Sequence, residues 1–137
     1  MGLDQYLYSC DSTEEMTHQE AYNRYPDEYC EVSEESKDNL VKVLNNRKQI
    51  AYWRKHANLQ GYIEDYAEMD INCKYIRLTE DIIRDIKEMS ANKNMANAVG
   101  FCWGETEDCE YEQTVEAMDK ALEEINKGKK IYYYGWY

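Results

Sequence analysis

The chain of 137 residues is poor in several of the parts that known chemistries need. It has one proline, one phenylalanine and two histidines, and basic residues are outnumbered, 16 against 28 acids, for a net charge of −12. A surface this acidic repels free nucleic acid unless a local basic patch intervenes, so no direct nucleic-acid partner is expected. No apolar run approaches the roughly 20 residues of a membrane span, which argues against a membrane role. Met1-Gly2-Leu3-Asp4 offers neither a basic leader nor an apolar one, so reduced thiols in a cytoplasm are the expectation. Cys10, Cys30, Cys73, Cys102 and Cys109 are odd in number and lack any Cys-x-x-Cys pair, and His18 and His56 lie far apart. Structural zinc favours closely paired ligands, so neither metal nor cofactor is expected. Both glycine-rich phosphate-binding motifs are missing as well.

What the chain has in excess is tyrosine and, near its start, acid. There are 14 tyrosines and 3 tryptophans. The first 35 residues carry 10 acids against the single base Arg24, a net of −9, while the remaining 102 carry a net of only −3. Residues 9–36 therefore read as a long acidic loop or insertion within one domain spanning 1–137. Pure solvating tails contain few aromatics, yet Tyr22, Tyr25 and Tyr29 are interleaved here with Glu14, Glu15, Asp27, Glu28 and Glu31. A connection of that length is either solvated or functional. A second acidic stretch, 105–112, offers Glu107, Asp108, Glu110 and Tyr111.

The apolar spacing around these segments gives the fold class. GLDQYLY at 2–8 alternates Leu3, Gln5, Leu7 with Asp4, Tyr6, Tyr8, a short strand with one aliphatic and one aromatic face. Leu40, Val43 and Leu44 predict a short helix over 36–46. Tyr52, His56, Leu59, Ile63 and Tyr66, widened by Ile50, Trp53 and Ala57, predict one central helix over 49–66. A strand follows near 71–78. Thr79 then caps a helix over 80–92 whose first turn holds Glu80 and Asp81. AVGFCWG at 98–104 predicts a buried strand. Val115, Met118, Leu122 and Ile125 mark a helix over 111–126, closed by Lys127-Gly128, and KKIYYYGWY is an aromatic final strand. The sum is an α+β single domain, with three to four helices packed on a small antiparallel or mixed sheet.

Candidate chemistry is sparse. His56 lies on an apolar stripe, where a hydrogen-bonded core histidine is commoner than a nucleophile's base. Carboxylate pairs such as Glu64 and Glu68 arise by chance in so acidic a chain, so no catalytic residues and no enzymatic activity are assigned. Trp53, Arg54, Lys55 and Asn58 together offer an aromatic ring, two cations and an amide, the makings of a small-ligand or nucleotide site. The same cations can instead lie over the core.

The segments GLDQYLY, AYWRKHANLQGYIED, VGFCWG and IYYYGWY resemble a largely uncharacterised family of small proteins of tailed bacteriophages and prophages. The similarity covers most of the chain outside residues 9–46. It implies an accessory protein acting in the cytoplasm of an infected bacterial host, including the anti-defence and anti-CRISPR type, and it supplies no catalytic residues. With the acid surplus, the expected function is an inhibitory binding protein. Its partner would be a basic nucleic-acid-binding host protein, such as a CRISPR effector or another defence nuclease. The alternative is a nucleotide-binding sponge built around Trp53, Arg54, Lys55 and Asn58.

Overall fold

In the computed structural model, residues 2–24, 40–100 and 103–137 are described. The first strand, β1 (Asp4–Cys10), keeps the alternation read from its sequence. Leu3, Gln5 and Leu7 are fully buried, while Tyr6 and Tyr8 face the other way. The remaining elements are β2 (Ser12–Thr17), α1 (His18–Arg24), β3 (Leu40–Asn45), β4 (Lys48–Arg54), α2 (Ala57–Ala67), β5 (Lys74–Leu78), α3 (Glu80–Ala91), α4 (Asp108–Asn126) and β6 (Lys130–Trp136). Four strands make an antiparallel sheet in the order β4-β1-β6-β5, and β2 and β3 make a separate antiparallel ribbon. The domain is α+β, as the apolar patterning predicts.

One face of the sheet is the main core. Leu7, Trp53, Ile76, Leu78, Ile131 and Tyr133 pack there against Leu59 and Ile63 of α2, Ile83 and Ile86 of α3, and Met118 of α4. Burying side chains of this size stabilises by about 1.5–3 kcal/mol each, which is why the sheet holds three helices to one side. Helix α3 starts at Thr79, as predicted, although no side-chain hydrogen bond caps it. Helix α4 ends in a Schellman turn: the Lys129 N–H donates to Glu124 O at 3.0 Å and the Gly128 N–H to Ile125 O at 2.9 Å. Gly128 sits at φ 87°, a conformation that favours glycine.

Four local expectations are corrected. The helix expected over 49–66 is a strand followed by a shorter helix. Residues 48–54 pair with β1, where Trp53 points inward and Tyr52 outward at period two. Lys55, at φ 61°, breaks the chain before α2 begins. The helix expected over 36–46 is, in its described part, β3, where Val41 and Val43 alternate with Lys42 in a strand paired with β2. The loop expected over 9–36 opens with the end of β1, then β2 and α1, and only its later part lies outside the described residues. Finally, residues 98–100, 103 and 104 form no strand. The Trp103 N–H donates to Gly100 O at 3.3 Å, and a Cβ at Gly100 would lie 2.2 Å from the indole.

Gly61 and Gly135 mark two close approaches. A Cβ at Gly61, inside α2, would come 2.3 Å from the Ala98 Cβ, so the glycine lets segment 96–98 lie on the helix. Gly61→Ala is expected to cost about 2 kcal/mol through overpacking, measured as a drop in the urea midpoint. A Cβ at Gly135 would meet Gln60 Oε1 at 2.3 Å, in a buried polar network. There the Gln5 amide donates to His56 O at 3.0 Å and to the Tyr133 hydroxyl at 2.9 Å, and Tyr133 donates to Gln60.

Candidate functional site

The outer face of the four-stranded sheet carries tyrosine on every strand. Cross-strand register aligns Tyr52 of β4, Tyr6 of β1, Tyr134 of β6 and Tyr75 of β5 in one row. Ring centroids are 5.1 Å apart for Tyr6–Tyr52, 6.2 Å for Tyr6–Tyr134 and 5.2 Å for Tyr75–Tyr134. Tyr8 and Tyr132 form the next row inward from the Cys10 end, and Asp4, with Arg54 and Trp136 opposite it, forms the row at the other end. The spacing follows from period-two alternation in YLY and YYY together with antiparallel pairing. The tyrosines of β1, β5 and β6 are visible on strands in the sequence; that of β4, and the joining of all four into one surface, are not.

The β2–β3 ribbon continues the β1–β4 ladder beyond Ser9 and Lys48, then turns over this face. The turn is held at Asp11, whose carboxylate accepts from the Asn46 amide at 2.5 Å and pairs with Lys129. These donors hold the Asp11 carboxyl below its ordinary value, the Lys129 interaction contributing most. Asn46 occupies the left-handed region at φ 55°. Leu44 packs on Tyr8 and Tyr132, and the Lys42 ammonium lies 5.6 Å from the Tyr132 ring centroid. The Arg47 guanidinium lies 4.7 Å over the Tyr8 ring and donates to the Tyr75 hydroxyl at 2.9 Å. On the ribbon's other side, Met16 and Val43 pack against Ala21 of α1.

The first acidic patch lies on this ribbon and helix. Glu14, Glu15 and Glu20 are exposed, and so is Tyr22, at 58%. Glu14 accepts from Arg24 at 3.2 Å and from Asn45 at 3.0 Å, which ties α1 to the ribbon. Exposed pairs of this kind contribute at most about 1 kcal/mol, so the arm retains its negative character. Tyr25, Asp27, Glu28, Tyr29 and Glu31 lie outside the described residues.

The second patch is committed to the fold only in part, through Glu110 and Tyr111, and Glu107 is exposed. The Glu110 carboxylate accepts from the Glu107 N–H at 3.0 Å at the start of α4, and burial raises its pKa above the usual carboxylate range. Tyr111 is buried, and its hydroxyl accepts from the Asn58 amide at 2.9 Å. Asp108 is exposed but lies 3.6 Å from Lys93. The two patches are also far apart. The start of α4 sits by the end of β4, where Gln113 donates to Tyr52 O at 2.5 Å. Its last turn sits by the start of β4 and the base of the ribbon, where Lys48 donates to Glu124 at 3.1 Å. Its 19 residues span about 28 Å at 1.5 Å per residue. Glu107, Asp108, Glu110 and Tyr111 thus form a second patch separate from the ribbon acids.

The four residues of the ligand-site alternative are dispersed in the same way. Trp53 is 1% exposed within the core and Asn58 is 6% exposed, whereas Arg54 and Lys55 are on the surface. Asn58 is a clamp. Its amide donates to Tyr111, its carbonyl accepts from the Ala98 N–H at 3.0 Å, and its own backbone N–H donates to Thr106 Oγ1 at 2.9 Å. A cleft of about 280 Å³ against Gly61, Tyr62, Glu64 and Val99 is lined by none of the four. Neither is a second cleft, of about 250 Å³, against Lys48, Lys120 and Lys127.

His56 is the buried core histidine that its stripe suggests. It is fully buried, its Nδ1 lies 3.2 Å from Thr106 Oγ1 and its Nε2 has no partner among the described residues. Burial depresses its pKa to about 4. Among the described residues, no group of three or more His, Cys, Asp or Glu is placed to hold a metal, and no helix is long and apolar enough to cross a membrane. No protein-family profile matches the chain, and neither curated proteins nor solved structures give a match.

Proposed function

We propose that this protein is an inhibitory binding protein of phage origin. It would act in the cytoplasm of an infected bacterium, where its acidic arm occupies a basic nucleic-acid-binding surface of a host protein such as a CRISPR effector or another defence nuclease. The phage and anti-defence assignment rests on the sequence resemblance. The observation that carries the binding mode is the placement of Glu14, Glu15, Glu20 and exposed Tyr22 on a ribbon and helix outside the main core. Carboxylates held there can pair with arginines that otherwise grip phosphate, and their summed field would steer a basic partner. The first 35 residues, with their net −9, supply most of that field.

The test is capture of host proteins from bacterial lysate by the tagged protein and by a Glu14→Lys/Glu15→Lys/Glu20→Lys variant. The expected catch is a nucleic-acid-handling protein released by salt and by added duplex DNA. Affinity for it should fall about a hundredfold in the variant, on the order of 3 kcal/mol for the removal of three ion pairs across the interface. Capture indifferent to DNA and to the variant would sink the reading.

A further inference from the structure

We propose that the Asp4, Tyr52 and Trp136 end of the tyrosine face is a docking site for an arginine side chain of a basic protein partner. The inference deepens the binding reading above and rests on it for the partner's basic character. Its grounds are separate from the acidic arm.

The covered half of the same face shows what these rings accept. There the chain supplies its own cations: Arg47 stacks on Tyr8 and donates to Tyr75, and Lys42 lies over Tyr132. The opposite end repeats the same ingredients in the open. Tyr52 is 37% exposed and Trp136 50% exposed. Asp4 lies between Arg54 on one side and Trp136 on the other, one row from Tyr6 and Tyr52. Its carboxylate accepts from the Tyr52 hydroxyl at 2.5 Å. That hydrogen bond fixes the carboxylate and leaves it further acceptor capacity. The same bond, with Asp4 nearby, holds the Tyr52 hydroxyl protonated by raising its pKa to about 12.

A planar guanidinium suits this arrangement better than an ammonium does. It can lie flat on an indole or phenol ring while directing an N–H at a carboxylate in its own plane. Arg54 is the competing cation in that row, so the site's selectivity is a balance between its charge and that of Asp4.

The probe is a short arginine-rich peptide, with the same peptide carrying citrulline in place of arginine as the uncharged control. Binding is followed by heteronuclear NMR on the full chain. Trp136 reports cleanly, because Trp53 and Trp103 are buried at 1% and 5% exposure. The arginine peptide should shift the Trp136 indole N–H and the Tyr52 ring signals, and the citrulline peptide should not. Asp4→Asn should weaken binding about tenfold, the size of one exposed charge-assisted hydrogen bond together with the cation–π stacking it supports. Arg54→Gln should tighten it, a gain that loss of structure would not produce. Shifts confined to the ribbon and α1, equal binding of the citrulline peptide, or unchanged affinity in Asp4→Asn would each overturn the site. Against the captured host protein the two readings separate. If the arm variant fails while Asp4→Asn binds normally, this site falls and the acidic arm stands. If arginine binds at Trp136 but capture ignores salt and the arm, the arm reading falls and the site stands.

Discussion

Replacing Asn58 with alanine should cost about 4 kcal/mol of stability, among the largest losses expected of any single side chain outside the apolar core. The amide joins three parts of the chain that are remote in sequence: the first turn of α2, segment 97–98 and the first turn of α4. Truncation would leave the Ala98 N–H and the Tyr111 hydroxyl buried or half-buried without their partner. Each such orphan costs about 1–3 kcal/mol. The 3.5 Å approach of Asn58 to Asn97 is too long to add much, so Asn97→Ala should cost under about 0.5 kcal/mol. Tyr111→Phe removes one arm of the clamp and should fall between them, at about 1.5 kcal/mol. Urea unfolding of the three variants measures the ranking. Equal losses for Asn58→Ala and Asn97→Ala would show that the clamp contributes little.

Acid should weaken the fold by about 3 kcal/mol through His56, at 1.36 kcal/mol per unit of pKa difference. The histidine's ordinary value is 6.5 and burial lowers it to about 4 in the folded chain. Above pH 6.5 both states hold it neutral, and its contribution to stability is complete. Between 6.5 and about 4 the unfolded chain binds the proton more readily than the folded one, so stability falls over that window and levels off below it. Trp53 and Tyr111 rings pack on the imidazole, and the facing carboxylate, Glu110, lies 4.0 Å from Nδ1. Burial raises the Glu110 pKa, so its protonation in acid returns part of the loss. Denaturant midpoints measured across this pH range should decline in the natural chain, and a His56→Gln variant should lose much of that slope. A flat profile for the natural chain between pH 6.5 and 4 would refute a buried neutral His56.

Much of the scaffold is written in short-range patterns. The alternation of Leu3, Gln5 and Leu7 against Tyr6 and Tyr8, the amphipathic spacing of Ile83 and Ile86, and the Lys127-Gly128 stop each specify one element with no help from the rest of the chain. Local geometry alone places those residues on one face. The break between β4 and α2 is different. No glycine or proline marks Lys55 and His56, and α2 has no capping side chain at its own N-terminus. Its Asn58 N–H is satisfied by Thr106, far along the chain, so the boundary exists only once the tertiary interaction forms.

The candidate surfaces divide along the same line. Charge is a property of the sequence, and the concentration of acid in the first 35 residues is complete before any folding. Which acids remain exposed is not. Glu14 and Glu15 look outward from a ribbon and Glu107 is exposed too, while Glu110 is half-buried and its carboxylate is used at the start of α4, because a helix must satisfy its first N–H groups. The tyrosines of β1, β5 and β6 are legible on strands, whereas Tyr52 reads as part of a helix; their union into one face, with cations over one half and Asp4, Tyr52 and Trp136 at the other end, requires the register of β4, β1 and β6. Register is set by which face of each strand is buried across the whole sheet, a condition that no single stretch of sequence contains.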